Sequence, residues 1–314
     1  MNSEAHDAPP VITTTGLTMD FGRVQALTDL DLEVGPGVTG LVGANGAGKS
    51  TLIKILLGLQ TPTRGSATVL GHDIAGEADE IRRIVGYMPE HDCLPPDVSA
   101  SDFVVHMARM SGIPHATARE RAADVLRQVG LDEERYRPLG GYSTGMKQRA
   151  KLAQALVHDP RLVFLDEPTN GLDPASRRDM LRLVRRIGTE FQIPVVVTSH
   201  LLGELEKISD HVVVLDGGHL LRSSATSEFL DVTGALLVEV LGGPEARDRF
   251  GEALAAAGFS CRPRGAVVVV DPPPPGSDVH RTIRDLADDL GLALVRLQPD
   301  QGHLEDIFTA GGAA

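Results

Sequence analysis

The sequence predicts an α/β fold with a mostly parallel sheet, followed by a smaller α+β unit. Three observations carry that prediction. Val38–Val42 is an apolar run that enters a glycine-rich loop and then a helical pattern. Leu162–Leu165 is a second apolar run, and it ends on two acids, Asp166 and Glu167. A third run, β-branched, covers 195–198 after a helical stretch at 174–190 and Pro194. Buried strands that alternate with helices assemble as a parallel sheet with helices packed on it.

The elements follow in order. Residues 11–15 open as a strand, and 29–34 alternate apolar and polar residues as a half-buried strand does. After the glycine loop a helix runs over 49–59 and ends near Gly58 and Pro62. Residues 95–135 are mostly helical by period, with breaks at Gly112, Ile113 and Pro114 and at Gly130. A helix over 144–158 stops before Pro160, and 212–215 form one more strand. Near Leu220 the texture changes. Residues 236–314 read as strand 236–241, helix 245–257 and strand 266–271, then the prolines 272–275, helix 279–290, strand 293–297 and a short final helix. The expected domains are 11–235 and 236–314, the second a small α+β unit with a ferredoxin-like arrangement as the candidate. Residues 1–10 read as a loose tail, and no internal repeat is present.

Composition excludes several classes. At roughly 150 residues per domain, 314 residues fit two domains. With 42% hydrophobic and 23% charged residues the chain is an ordinary globular one, neither disordered nor fibrous. Thirty basic against 43 acidic residues give a net charge of −13, which argues against a broad nucleic-acid footprint. Eight Phe, three Tyr and no Trp make a base-stacking platform unexpected. The two cysteines, Cys93 and Cys261, have no metal or redox spacing, which fits a reducing cytosol. The longest uncharged run is 15 residues and glycine-rich, short of the roughly 20 apolar residues of a membrane span. The start has neither the basic stretch nor the apolar stretch of a signal peptide.

The chemistry lies in two segments. Gly43-Ala44-Asn45-Gly46-Ala47-Gly48-Lys49-Ser50-Thr51 follows an apolar strand and opens a helix, the setting a phosphate-binding loop requires. Successive backbone N–H groups and a helix start wrap a polyanion, and glycines permit the close approach. Lys49 reaches the outer phosphates as a point charge, and the Ser50 hydroxyl suits Mg²⁺, a hard cation. An incidental glycine turn would lack the strand–loop–helix setting. In the second segment a strand delivers Asp166 and Glu167 to its C-terminal end, beside that loop in a parallel sheet. Asp166 suits Mg²⁺, and Glu167 can polarise a water toward a γ-phosphate. Alone, such a pair reads as a solvated strand end; joined to the phosphate loop, it reads as catalytic.

Between these segments, Tyr142-Ser143-Thr144-Gly145-Met146-Lys147-Gln148-Arg149 resembles the signature motif of ATP-binding-cassette (ABC) proteins, commonly Leu-Ser-Gly-Gly-Gln. Ser143 and Gly145 match; Tyr142, Thr144 and Met146 depart, as in cassettes of ABC-2 type exporters. The resemblance implies that Ser143 and Gly145 begin a helix facing the γ-phosphate held by another subunit. Gly171-Leu172-Asp173-Pro174 resembles the family's loop across the dimer interface, which brings in Asp173. Thr198-Ser199-His200 resembles the switch-histidine segment and implies that His200 lies near the γ-phosphate. Phe21 falls where the family stacks an aromatic on adenine. Glu90, in Gly86-Tyr87-Met88-Pro89-Glu90, stands where the family usually has a Gln that ligates Mg²⁺; a carboxylate can also do so. Leu304-Glu305-Asp306-Ile307-Phe308 resembles a tail of drug- and lipid-exporter cassettes.

The resemblance covers 11–235 and implies a P-loop cassette with an N-terminal antiparallel β part and a helical subdomain at about 91–140. It implies an ATP- and Mg²⁺-dependent ATPase that powers an ABC-2 type exporter. The expected partners are a second copy or a paralogous cassette, paired head-to-tail, and an integral membrane permease. The chain is then peripheral on the cytoplasmic face of the plasma membrane and binds no nucleic acid. Its coupling groove is expected beside Leu94-Pro95-Pro96-Asp97-Val98, with Val98 and Phe103 in it. The alternatives are an importer cassette or a non-transport ABC ATPase on ribosome or DNA. Members of the last class usually carry paired cassettes, long coiled-coil arms or basic tracts, and this sequence shows none of them.

Overall fold

A computed structural model describes residues 9–226, 235–271 and 278–299. The expected final helix and the 304–308 segment lie outside the described residues. The chain divides into two compact units, 1–226 and 227–314.

The first unit opens with β1 (Ile12–Asp20) and β2 (Gln25–Val34), then β3 (Val38–Val42) and α1 (Lys49–Leu56). β1 runs past the expected end at residue 15 because bulges between Thr14 and Leu17 absorb the register shift. β4 (Arg64–Val69) and β5 (His72–Asp73) complete an antiparallel sheet in the order β2-β1-β4-β5. Next come α2 (Ala78–Ile84), β6 (Val85–Met88), α3 (Ala100–Met110), α4 (His115–Gln128) and α5 (Thr144–Leu156). Ser99 caps α3 by accepting the Asp102 N–H. In α4 only Ala118, Ala122, Val125 and Leu126 are buried, one face of a polar helix. The unit closes with β7 (Leu162–Leu165), α6 (Pro174–Thr189), β8 (Val195–Ser199), a short α7 (Leu202–Leu205), β9 (His211–Asp216) and β10 (His219–Ala225).

The second sheet has the order β10-β9-β3-β8-β7-β6. The strands from β9 to β6 pair in parallel, and β10 is an antiparallel edge. Every residue of β3, β7 and β8 is buried, which is why these strands read as unbroken apolar runs. One core joins the two sheets: Leu17, Leu27 and Leu30 belong to the same buried cluster as Ile53, Phe164 and Val213.

The second unit comprises β11 (Leu236–Val240), α8 (Gly243–Ala256), β12 (Cys261–Arg264), β13 (Val267–Val270), α9 (Val279–Asp289) and β14 (Leu294–Pro299). Its sheet is antiparallel throughout, in the order β12-β13-β11-β14. A β-α-β-β-α-β chain in that order is the ferredoxin-like arrangement. Val238, Phe250, Leu254, Val268 and Ile283 lie in its core.

Candidate active site

β3, β8 and β7 are neighbours in the parallel sheet, so the segments after their C-terminal ends converge. The loop from Gly43 leads into α1 through Gly48, whose φ of 101° lies in the left-handed region that glycine adopts without strain. No side chain caps α1, so the first-turn N–H groups stay available to an anion. Lys49 is buried and curls back over the loop. Its Nζ donates to Gly43 O at 2.7 Å and Ala44 O at 3.2 Å, and lies 3.8 Å from Glu167 Oε1.

Ser50 Oγ donates to Asp166 Oδ1 at 3.3 Å. Thr198 ties the two carboxylates together: its hydroxyl donates to Asp166 Oδ1 at 2.8 Å and accepts Glu167 N–H at 2.8 Å. Glu167 has φ 49°, an unfavourable backbone for a residue with a Cβ. Its side chain is buried; Oε2 lies 2.9 Å from His200 Nδ1, and Oε1 has no hydrogen bond. Asn170 Nδ2 donates to Glu90 Oε1 at 3.2 Å.

A cleft of about 340 Å³ opens here, lined by residues 45–51 with Ala26, Glu90 and Glu167. That is at the small end of ligand pockets. Gly43 and Ala44 are outside this lining, as acceptors for Lys49. Phe21 is also outside it, 54% exposed in the turn between β1 and β2, where its N–H donates to Val24 O. Ser143, Gly145 and Asp173 lie apart from the cleft lining and close to one another. Ser143 caps α5 by accepting Met146 N–H, and Asp173 caps α6 by accepting from Ala175 and Ser176. The Ser176 hydroxyl and N–H hold the Asp173 carboxyl below the usual carboxylate range. A Cβ on Gly145 would touch Ser176 Oγ at 3.5 Å, so the two helix starts are adjacent. Ala26, Asn170 and the bridging part played by Thr198 were not singled out in the sequence. Only Thr198 left a signal, by preceding Ser199 and His200 at a strand end.

A glycine-rich loop between a parallel strand and a helix, with carboxylates at the end of a strand two places along the same sheet, defines a P-loop nucleotide-binding protein. A family model described as "ABC transporter" matches residues 27–170. Daunorubicin/doxorubicin resistance ATP-binding protein DrrA of Streptomyces peucetius is 37% identical over 225 residues, 71% of this chain and 68% of that protein. Bacitracin transport ATP-binding protein BcrA of Bacillus licheniformis is 38% identical over 213 residues, 68% and 69% of the two chains. Among solved structures, the dimeric cassette MJ0796 bound to ADP and Pi superposes with a TM-score of 0.63 at 23% identity, covering 68% of this chain and 98% of that one. The cbiO1 protein of Clostridium perfringens, part of an ABC transporter complex, gives 0.65 at 24%, covering 70% and 90%. The two structures show the shared fold. The chain belongs to the ABC transporter family as an ATP-binding subunit, and it is an ATPase. Among the described residues no helix is long and apolar enough to cross a membrane.

Proposed function

We propose that the chain hydrolyses ATP at a site completed by a second cassette and so powers export through a separate integral membrane subunit. The observation that carries this reading is Glu167: a buried carboxylate at the phosphate cleft, held through Oε2 by His200, with Oε1 facing the Lys49 ammonium at 3.8 Å but free of hydrogen bonds. The loop N–H groups and Lys49 bind the triphosphate, and Lys49 exchanges its two carbonyl partners for phosphate oxygens. Glu167 Oε1 accepts a proton from the attacking water or orients it, a role worth about 10²–10⁴ in rate. His200 keeps the carboxylate aimed and lies beside the γ-phosphate.

The donor set fits Mg²⁺. Ser50 Oγ and Asp166 Oδ1 are hard oxygens 3.3 Å apart, and Thr198 fixes the carboxylate. Ser50, Asp166 and Glu90 would hold the ion. When bound, the ion neutralises charge on the phosphate oxygens.

Ser143 and Gly145 serve the ATP of the opposite cassette, and Asp173 lies at the interface between the two. A head-to-tail pair closes on ATP and opens after hydrolysis, and the difference in ATP affinity between these states drives transport. Relatives named for drug resistance and bacitracin transport support the outward direction. The membrane subunit docks from the cytoplasmic face, an amphipathic helix entering a cleft of about 220 Å³ lined by Leu57, Leu59, Tyr87 and Met107. Residues 236–314 regulate or pair the cassettes and do no chemistry.

Glu167→Gln keeps the shape and removes the charge. Turnover should fall by at least about 10² while ATP binding survives. Lys49→Ala should weaken binding itself. Near-parent turnover by Glu167→Gln would remove Glu167 from the mechanism.

A further inference from the structure

Helix α5 turns a polar stripe toward the segment 85–92. Just past the helix end, His158 Nε2 donates to Val85 O at 3.1 Å, and Gln154 Nε2 donates to Tyr87 O at 3.4 Å. Lys151 Nζ donates to Glu90 O at 2.8 Å and His91 O at 3.4 Å. Lys147 Nζ pairs with Asp92 Oδ2 at 3.0 Å. Steps of three and four residues place these side chains on one helix face. Strand β6 packs close beneath: a Cβ on Gly86 would collide with the Ala155 carbonyl oxygen.

A second route reaches the same residue. Buried Gln148 donates through Nε2 to Asn170 O at 3.2 Å, and Asn170 Nδ2 donates to Glu90 Oε1 at 3.2 Å. Glu90 is therefore held at its carbonyl by Lys151 and at its carboxylate by Asn170.

Lys151 is the unusual member of the stripe. It is 3% exposed, and burial pushes its ammonium below the ordinary value. Its hydrogen bonds go to two backbone carbonyls. An apolar side chain would fill that space without desolvating a charge. What the charge adds is a grip on the backbone that carries Glu90. About two turns earlier, the same helix begins at Ser143.

We infer that Lys151 is a positioning residue that locks Glu90 to helix α5, so that the Glu90 end of one nucleotide site and the Ser143 end offered to the other move together. The inference rests on the reading of Glu90 and Ser143 as nucleotide-facing. Asn170 is the second tie in the same lock.

The test uses the full chain with ATP and a fluorescent ATP analogue. Lys151→Met and Asn170→Ala should each lower kcat about tenfold while the analogue's Kd stays within about twofold, the mark of misplacement without loss of binding. In a Glu90→Ala background, either change should cost less than about twofold more, because the residue it positions is gone. Equal losses in both backgrounds would overturn the inference and leave Lys151 as packing. Asn170 sits on an exposed turn, so its variant carries the same cycle if Lys151→Met does not fold, and additivity there overturns the inference equally. A parent chain that neither bound nor hydrolysed ATP would instead overturn the functional reading beneath it.

Discussion

Glu167 combines three features that packing alone would not select: a left-handed backbone, a buried carboxylate and a carboxylate oxygen without a hydrogen bond. Each carries a free-energy penalty, and such penalties gather where chemistry requires a fixed geometry. His158 is a half-buried titratable group with a measurable consequence. Burial pushes it below its ordinary 6.5, against an opposing hydrogen bond to Val85 O. The folded pKa lies below the unfolded one, so the unfolded chain binds more protons as pH falls through 6.5. Stability from this group is thus present above 6.5 and lost on acidification toward the folded pKa. His158→Gln keeps a donor for Val85 O and does not titrate. Between about pH 7.5 and about pH 5.5 its urea midpoint should fall less than the parent's. An identical fall in both would show that His158 contributes nothing to acid sensitivity. At this scale the sequence was legible wherever partners are neighbours in the chain: Lys49 with its loop, Glu167 with Asp166. Thr198, Asn170 and Lys151 act on residues 31 to 80 positions away, and no local pattern marks such contacts.

Among the elements, the buried strands β3, β7 and β8 were legible because burial on both faces leaves only apolar residues. The edge strands β10 and β12 were not. β12 reads Cys-Arg-Pro-Arg and is tolerated as a strand because it lies at a sheet edge, where Pro263 need not donate inward. β10 is polar for the same reason. Phe103, expected in the coupling groove, is 9% exposed on the inner face of helix α3, and neither it nor Val98 lines the cleft beside α3, α5 and β6. The cleft formed by α3, α5 and β6 instead includes Leu59, which is 55% exposed. Leu59→Asp should therefore change stability by no more than about 0.5 kcal/mol. It should leave ATP hydrolysis by the isolated chain intact and abolish stimulation by the membrane subunit in vesicles. Normal stimulation of the folded variant would move the docking surface elsewhere.

For the whole molecule the question is whether one chain suffices for a site. Ser143 is exposed at the start of α5, outside the cleft lined by its own phosphate loop, and the Asp173 cap lies beside it. In the head-to-tail pair proposed above, Ser143 of one chain would meet the Lys49 loop of the other, so each site would take one part from each chain. Lys49→Ala damages the loop part, and Ser143→Arg damages the helix part. Either homodimer then carries two defective sites and should be inactive. In a mixed dimer both lesions fall in the same site and the other site is wholly intact. Random mixing makes half the dimers mixed, each with one good site of two, so activity should recover to about a quarter of the parent's per chain. Mixed dimers purified by two different tags should reach about half. If sites were complete within one chain, every chain in the mixture would carry a lesion of its own site and no activity would return. Tagged mixed dimers that stay inactive would therefore reject the shared site, and so would a Ser143→Arg homodimer that hydrolyses ATP at the parent rate.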